Sequence, residues 1–274
     1  MRTIIGLAAL ARSGKDTVAS MLLKHENVAA FALADPLKSG CQALFGLSHD
    51  EAWSDAIKEE VIDLWSLSPR LMFQMLGTEW MRHHNPEHWL MRADKQLNHP
   101  HTDLTPPPTD EHLSHPEAPI RLTTQAFFGF TNAQTWEPSE QGAVDQYWSI
   151  TPNEAFKLIK NLTLQYFPNY TDVRAKRPVG PLETKQLSLE GKSVFIIKDI
   201  RYENEADFWR SHHGVIWHIQ RKDALKVASH SSEEGVQQKP LDLLIVNDAT
   251  LEELQAKVDH AWLETLARTG VFTQ

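Results

Sequence analysis

The stretch LARSGKDTVASML, residues 10–22, decides how the rest of the chain is read. It joins a short apolar run, TIIGLA (3–8), to a segment with helical spacing, GKDTVASMLLK (14–24), in which Val18, Met21 and Leu22 share one face. Strand, glycine-bearing turn and helix together form the setting of a phosphate-binding loop. Gly14 lets the backbone turn its N–H groups toward an anion. Lys15 supplies charge toward the outer phosphates, and the following helix offers its positive end to the same anion. The usual pattern is G-x-x-x-x-G-K-[ST]. Here Ala9 fills the first glycine slot and Asp16 the hydroxyl slot. Alanine suits that slot where φ is negative. Asp16 is a hard oxygen ligand for Mg²⁺, directly or through water, and Thr17 places a hydroxyl beside it. Taken alone, the pattern is met equally well by an ordinary strand-to-helix turn containing Gly-Lys.

The chain has 274 residues, enough for one sizeable α/β domain with insertions or for two small domains. It is 41% hydrophobic and 23% charged, ordinary for a soluble globular protein. No apolar run approaches the ~18 residues of a membrane helix. The opening MRTIIGLAAL reads as a buried first strand rather than a signal peptide, because RSGKD interrupts it early. Cys41 is the only cysteine, which excludes an intramolecular disulfide and a Cys-rich zinc site and fits a cytoplasmic protein. The net charge of −9 disfavours a broad nucleic-acid-binding face, though not a local basic channel.

Further along, VAAFALA (28–34) reads as a second strand, and Pro36 opens a helix at about Leu37. Residues 54–97 read as helical in blocks, with Ser68 as a cap, Pro69 in the first turn and Gly77 as a break. Residues 98–119, rich in Pro, His and acid, read as a loop or disordered insertion. Residues 120–148 support no assignment; 149–165 read as a capped helix and 168–191 as a stretch punctuated by Pro and Gly. The α/β pattern returns with SVFIIKDIR (193–201), a helix near 203–212, the strand VIWHIQR (215–221), the strand LDLLIVND (241–248) and a last helix. No internal repeat is visible. The expected layout is 1–97 as the phosphate-loop and acceptor-binding part of the core, 98–192 as an insertion or lid, and 193–274 as the second part of the core. Neither half holds enough strands for a covered sheet of its own, so the two halves are expected to share one parallel sheet.

Several side chains are candidates on their own chemistry. Asp199 ends a strand at the edge where open α/β sheets carry their ligands, and Arg201 is two residues on. A carboxylate and an arginine facing one crevice suit phosphoryl transfer, and equally suit a structural ion pair. Asn204 and Glu205 are at least as good as helix caps. Asp35 and Lys38 flank Pro36 just after the second strand, where Asp35 also suits a helix cap. Arg70 and Gln74 are one helical turn apart, a pairing that suits a phosphate and a base edge. Arg82 is another phosphate candidate, while Leu71, Met72, Phe73, Met75 and Leu76 read as core. Arg221 closes its strand, placed to cover donor phosphates or stack on a base. Arg174, Lys176 and Arg177 read as a solvated basic loop before they read as a lid. His99, His101, His112 and His115 have metal-like spacing but no Cys partner and no helical frame.

Six segments in order carry a resemblance: ARSGKDTVA, LADPLK, SPRLMFQMLGTEWMR, IIKDIRYENEADFW, RKDALKVASHSSEEG and LLIVNDATLEEL. Together they resemble the deoxynucleoside monophosphate kinases of tailed phages and, more distantly, are similar to phosphomevalonate kinases with a GKD loop. The likeness covers most of 1–95 and 193–258, not 98–190. It implies an α/β P-loop kinase: a parallel sheet flanked by helices, with a long mixed insertion. It also implies transfer of the γ-phosphate of ATP to a deoxynucleoside 5′-monophosphate with Mg²⁺, in the host cytoplasm if the chain is phage-encoded. On this resemblance Lys15, Asp16, Asp199 and Arg201 are catalytic, with Asp16 and Asp199 toward the metal. Arg12, Ser13, Gly14, Lys15, Asp16, Thr17 and Arg221 hold ATP. Asp35, Lys38, Arg70, Gln74, Gly77, Thr78 and Arg82 hold the acceptor, and His230, Ser232 and Glu233 fall in a segment the family also marks. Glu203 stands where the family usually has proline, which puts the turn after Arg201 in question. Three alternatives stay open: a P-loop kinase acting on a hydroxymethylated base in DNA, a kinase of small metabolites, and a nucleotide-binding protein without catalysis. A nucleotide is the expected partner, with no membrane. The sequence does not set the oligomeric state, and a homodimer is compatible with it.

Overall fold

The computed structural model describes residues 2–10, 12–98, 108–182, 189–221 and 235–270. In chain order the elements are β1 (Thr3–Ala9), α1 (Lys15–Leu22), β2 (Val28–Phe31), α2 (Ala34–Phe45), α3 (His49–Trp53) and α4 (Pro69–Gln74). Helix α4 runs on without interruption as a π-helix, Met75–Arg82. There follow α5 (His88–Asn98), α6 (Asp110–Ser114), α7 (Ala118–Phe128), α8 (Asn132–Trp136), α9 (Pro138–Gln141), α10 (Pro152–Tyr166) and α11 (Tyr170–Arg174). The chain then returns to β3 (Val194–Ile200), α12 (Glu203–Ser211), β4 (Val215–Gln220), β5 (Leu243–Val246) and α13 (Leu251–Thr269). It divides into two compact units, one of residues 1–33 with 186–274 and one of residues 34–185.

The first unit is an α/β layer structure around an all-parallel sheet of order β2-β3-β1-β4-β5. Strands buried on both faces require near-continuous apolar runs, and TIIGLAA and VFII supply them. One face carries Ile5, Leu7, Val194, Ile196, Trp217, Ile219 and Ile245 against Val18 and Leu22 of α1 and Leu254, Val258 and Trp262 of α13. Helix α12 covers β1 and β4 on the other side with the fully buried Trp209. Gly6 lets that layer pack close: a Cβ on it would sit 2.7 Å from Ile216 Cδ1 and 3.1 Å from Ile200 Cγ1, so those side chains would have to shift. The β1–β3 register shifts between Gly6 and Ala8, whose partners are Ile197 and Ile200, so β3 carries one extra residue just before its end.

The second unit is helical, its core built from Phe45, Trp65, Met72, Leu76, Trp80, Phe127 and Ile159 among others. Several expectations are corrected here. Residues 54–68 form no helix but a loop closed by an Ile62–Leu67 bridge. Gly77 is no break: it lies inside the π-helix, where a Cβ would sit 2.7 Å from Leu37 Cδ2. Leu71 is exposed rather than core. Within the stretch read as a loop, Asp110–Ser114 is helical and Thr109 and His112 form a capping box. An internal repeat, unseen in the sequence, is present: the bridge Ile62–Leu67 recurs as Asp145–Ile150, and Ser66 and Ser149 share positive φ values of 53° and 57°.

Candidate functional site

The loop after β1 has the backbone that anion binding needs. Arg12 (φ 65°) and Gly14 (φ 94°) both adopt left-handed conformations on either side of the buried Ser13. An αL position costs a non-glycine residue energy, so Arg12 is strained where the turn demands it. Alternating backbone hands gather successive N–H groups into a concave nest, and α1 begins immediately at Lys15. Val18 N–H closes the first helical turn on the Gly14 carbonyl at 3.1 Å. Asp16 is exposed in that first turn, and Thr17 is half-buried next to it.

Parallel strands put the other candidates at the same edge. Ala8 pairs with Ile200 and Ala9 with Ile219, so β3 and β4 flank β1 where the loop leaves it. This is the switch point, the place where doubly wound sheets hold ligands. Asp199 belongs to β3, within the stretch where the register shifts, and its side chain lies outside what the structure describes. Arg201 and Arg221 follow β3 and β4 directly, both exposed. Ala11, His99, His101 and the segment with His230, Ser232 and Glu233 also lie outside the described residues.

In the helical unit, Asp35 and Lys38 occupy the first turns of α2, and the Lys38 ammonium lies 5.3 Å from the Trp53 ring centre. Arg70 pairs with Glu59 at 3.1 Å on the surface. Gln74 and Thr78 are exposed along the same helix, while Gly77 is buried and its carbonyl accepts from Trp89 Nε1 at 3.0 Å. Arg82 is half-buried at the end of the π-helix. The π-helix is rare, and where it occurs it often marks a functional site.

The reading of 174–177 as a solvated basic loop fails at two residues. Arg174 is buried rather than a solvated loop residue, giving hydrogen bonds to the carbonyls of Ala43, Arg177 and Pro178. Arg177 pairs with Glu51 at 2.6 Å. Burial would raise the Glu51 carboxyl, but hydrogen bonds from Arg177 and the Ser48 N–H outweigh it and hold the pKa below the usual carboxylate range. The remaining histidine spacing is structural: the His112 ring accepts from Thr109 N–H and stacks on Trp136 at 4.6 Å.

Asn247, which the sequence did not single out, braces the edge together with Glu205 and Glu203. Asn247, just past β5, donates from Nδ2 to the Ser13 carbonyl at 3.0 Å, and its own N–H bonds the Gln220 carbonyl at 2.7 Å. The Glu205 carboxylate accepts from the N–H groups of Arg201 and Tyr202 at 2.8 and 3.2 Å, so it caps α12. Glu203, in the proline slot, is the first residue of α12, and it accepts from Arg210 at 2.8 Å and from Gln237 N–H at 2.9 Å. The turn after Arg201 therefore persists without proline. A polar residue directly after each strand was the available signal for Asn247.

Among the described residues no three His, Cys, Asp or Glu side chains gather into a metal cluster. Mg²⁺ needs none, since it takes one or two carboxylates and completes its shell with phosphate and water. The exposed Asp16 beside the nest fits that donor set. No helix among the described residues is long and apolar enough to cross a membrane.

Comparison with known proteins points the same way. Residues 182–258 match the family model for deoxynucleotide monophosphate kinase. Over 259 residues the chain is 24% identical to a protein of Acanthamoeba polyphaga mimivirus named "Putative deoxynucleotide monophosphate kinase", and the match covers 93% of each. Both similarities support a nucleotide kinase.

Proposed function

We propose that this chain transfers the γ-phosphoryl group of ATP to a deoxynucleoside 5′-monophosphate, giving ADP and the deoxynucleoside diphosphate. The observation that carries the reading is the nest made by Arg12 and Gly14 at the start of α1, on the edge where β3 delivers Asp199 and Arg201. Loop N–H groups and Lys15 hold the donor phosphates. Asp16 and Asp199 would hold Mg²⁺, which when bound would supply positive charge against the donor phosphates. An oxygen of the acceptor phosphate attacks the γ-phosphorus, the bond from that phosphorus to the β–γ bridging oxygen breaks, and ADP leaves with the electron pair. The acceptor phosphate is already a nucleophile, so no base and no covalent enzyme intermediate are needed. Arg201 and Arg221 act on charge spreading over the transferred group.

On the acceptor side, Lys38 of α2 with Arg70 and Arg82 supplies cations for the monophosphate, and Asp35, Gln74 and Thr78 supply carboxylate, amide and hydroxyl partners for the base or sugar. Gly77 leaves room for Leu37 of α2 against the π-helix, where a Cβ would sit 2.7 Å from Leu37 Cδ2.

The test is a chromatographic assay of ATP with each deoxynucleoside monophosphate in turn, alongside duplex DNA carrying a hydroxymethylated base. Diphosphate from at least one free monophosphate, with no label entering DNA, supports the reading. Labelled DNA with no diphosphate, or ATP binding with no transfer, overturns it.

A further inference from the structure

The helical unit consists of the same structure twice. From Pro36 to Phe73, each residue has a counterpart 83 positions on with no gap, and the pairs Phe45/Phe128, Gly46/Gly129, Trp53/Trp136, Trp65/Trp148 and Pro69/Pro152 are identical. Local geometry repeats with them. Gly46 and Gly129 end helices α2 and α7 with φ values of 65° and 62°. The capping boxes Ser48/Glu51 and Thr131/Gln134 start α3 and α8. Trp65 Nε1 donates to the Phe45 carbonyl at 3.0 Å, and Trp148 Nε1 to the Phe128 carbonyl at 2.7 Å. Lys38 lies over Trp53 as Arg121 lies over Trp136, at 5.3 and 5.8 Å.

The offset then falls by one. Pro86 matches Pro168, and His88, Arg92 and Lys95 match Tyr170, Arg174 and Arg177, 82 positions apart. The intervening loops are equal in length, so the extra residue of the first copy lies within its helix. That helix holds the π-segment Met75–Arg82, whereas its counterpart α10 is regular. A π-turn accommodates one added residue in a helix.

The copies meet at equivalent positions: Thr123 Oγ1 donates to the carbonyl of its own counterpart, Gly40, at 3.0 Å. The last element of each copy packs on the other copy. Arg92 of the first copy donates to the Ala126 carbonyl of α7 at 2.9 Å, and Arg174 of the second donates to the Ala43 carbonyl of α2 at 3.1 Å. His88 stacks on Trp148 at 5.0 Å, and Tyr170 lies 6.0 Å from Trp65.

We infer that residues 36–98 and 119–180 are a tandem duplication folded as a pseudo-twofold pair with exchanged ends, in which the second copy's Arg174 is a positioning residue for α2, the helix that opens with Asp35 and Lys38. The positional part rests on the function proposed above; the duplication and exchange do not. The first copy holds the acceptor candidates and the π-helix, while the second has Ala118 and Asn153 in place of Asp35 and Arg70. Its work is to hold α2 through the Ala43 carbonyl and, by way of Arg177, the Gly46 carbonyl at 3.0 Å.

Pseudo-symmetry supplies the control. In the full-length protein, Arg174→Lys and Arg92→Lys remove matching clamps. Native-state hydrogen exchange should speed up at residues 40–47 in Arg174→Lys and at 123–130 in Arg92→Lys, each in the opposite copy. The KM for the monophosphate should rise about fivefold in Arg174→Lys, kcat staying within twofold, and stay unchanged in Arg92→Lys. Faster exchange in the mutated copy alone overturns the exchanged architecture. Equal KM changes in both variants overturn the positioning role. If the wild type transfers no phosphate to any monophosphate, the positional part falls with the proposed function, and hydrogen exchange still decides the architecture. Should Arg174→Lys fail to fold, Tyr170→Phe, which removes the 2.8 Å bond to the Leu44 carbonyl and the hydroxyl beside Arg174, is read against the same expectations.

Discussion

Asn247 Nδ2 sits 3.0 Å from the Ser13 carbonyl and 2.2 Å from where a Cβ on Gly14 would lie. The last strand thus clamps the loop that follows the first, and glycine at position 14 is fixed by both its φ of 94° and this neighbour. The clamp is one hydrogen bond to a backbone carbonyl, worth about 1 kcal/mol. Asn247→Ala should weaken ATP binding by roughly five- to tenfold in titration calorimetry. The KM for the monophosphate should not change, and an unchanged ATP affinity would show that the clamp does not shape the loop.

Glu205 acts at a neighbouring strand end. Its carboxylate collects the N–H groups of Arg201 and Tyr202, leaving α12 capped and the Arg201 backbone fixed. Glu205→Ala should lower stability by about 1–2 kcal/mol in urea unfolding. It should reduce kcat more than Glu205→Gln does, since the amide oxygen keeps one acceptor. Equal kcat in the two variants would separate the cap from Arg201.

His88 gives the fold a defined acid response. Burial first, and the nearby Arg92 second, push its pKa down to about 3 against a hydrogen bond with the Phe127 backbone. Its Nε2 is buried without a partner. At neutral pH both states are uncharged and the ring contributes no pH dependence. Below about pH 6.5 the unfolded chain takes up a proton that the folded one refuses down to about pH 3. Stability therefore falls with pH in this window, by at most about 1.4 kcal/mol per unit. Urea midpoints at pH 7.5, 6 and 5 should show this slope, and His88→Phe should flatten it. A slope unchanged in His88→Phe assigns the acid response to other groups.

The sheet was legible because its strands are apolar runs ending at polar residues: TIIGLAA before Arg12 and VFII before Asp199 both carry that signature. The helical unit was not. Its repeat distance of 83 residues far exceeds any helix or strand period, and most paired positions keep only size or turn chemistry, as Ser48/Thr131 and Leu67/Ile150 do. Gly77 misled for a related reason. Glycine in a helix usually weakens it, but here it makes room for Leu37 within a π-turn that no local pattern announces. Arg174 and Arg177 resembled a solvated basic run because carbonyls brought in from about 130 residues away satisfy them.

The most direct measurement is single-turnover transfer of label from γ-labelled ATP to a deoxynucleoside monophosphate, comparing the wild type with Lys15→Ala. The account predicts labelled diphosphate from the wild type and a rate lower by about 10²–10³-fold in the variant, with the fold intact by circular dichroism. Equal rates in the two proteins would contradict it, because the loop at the head of α1 would then not hold the phosphate that moves.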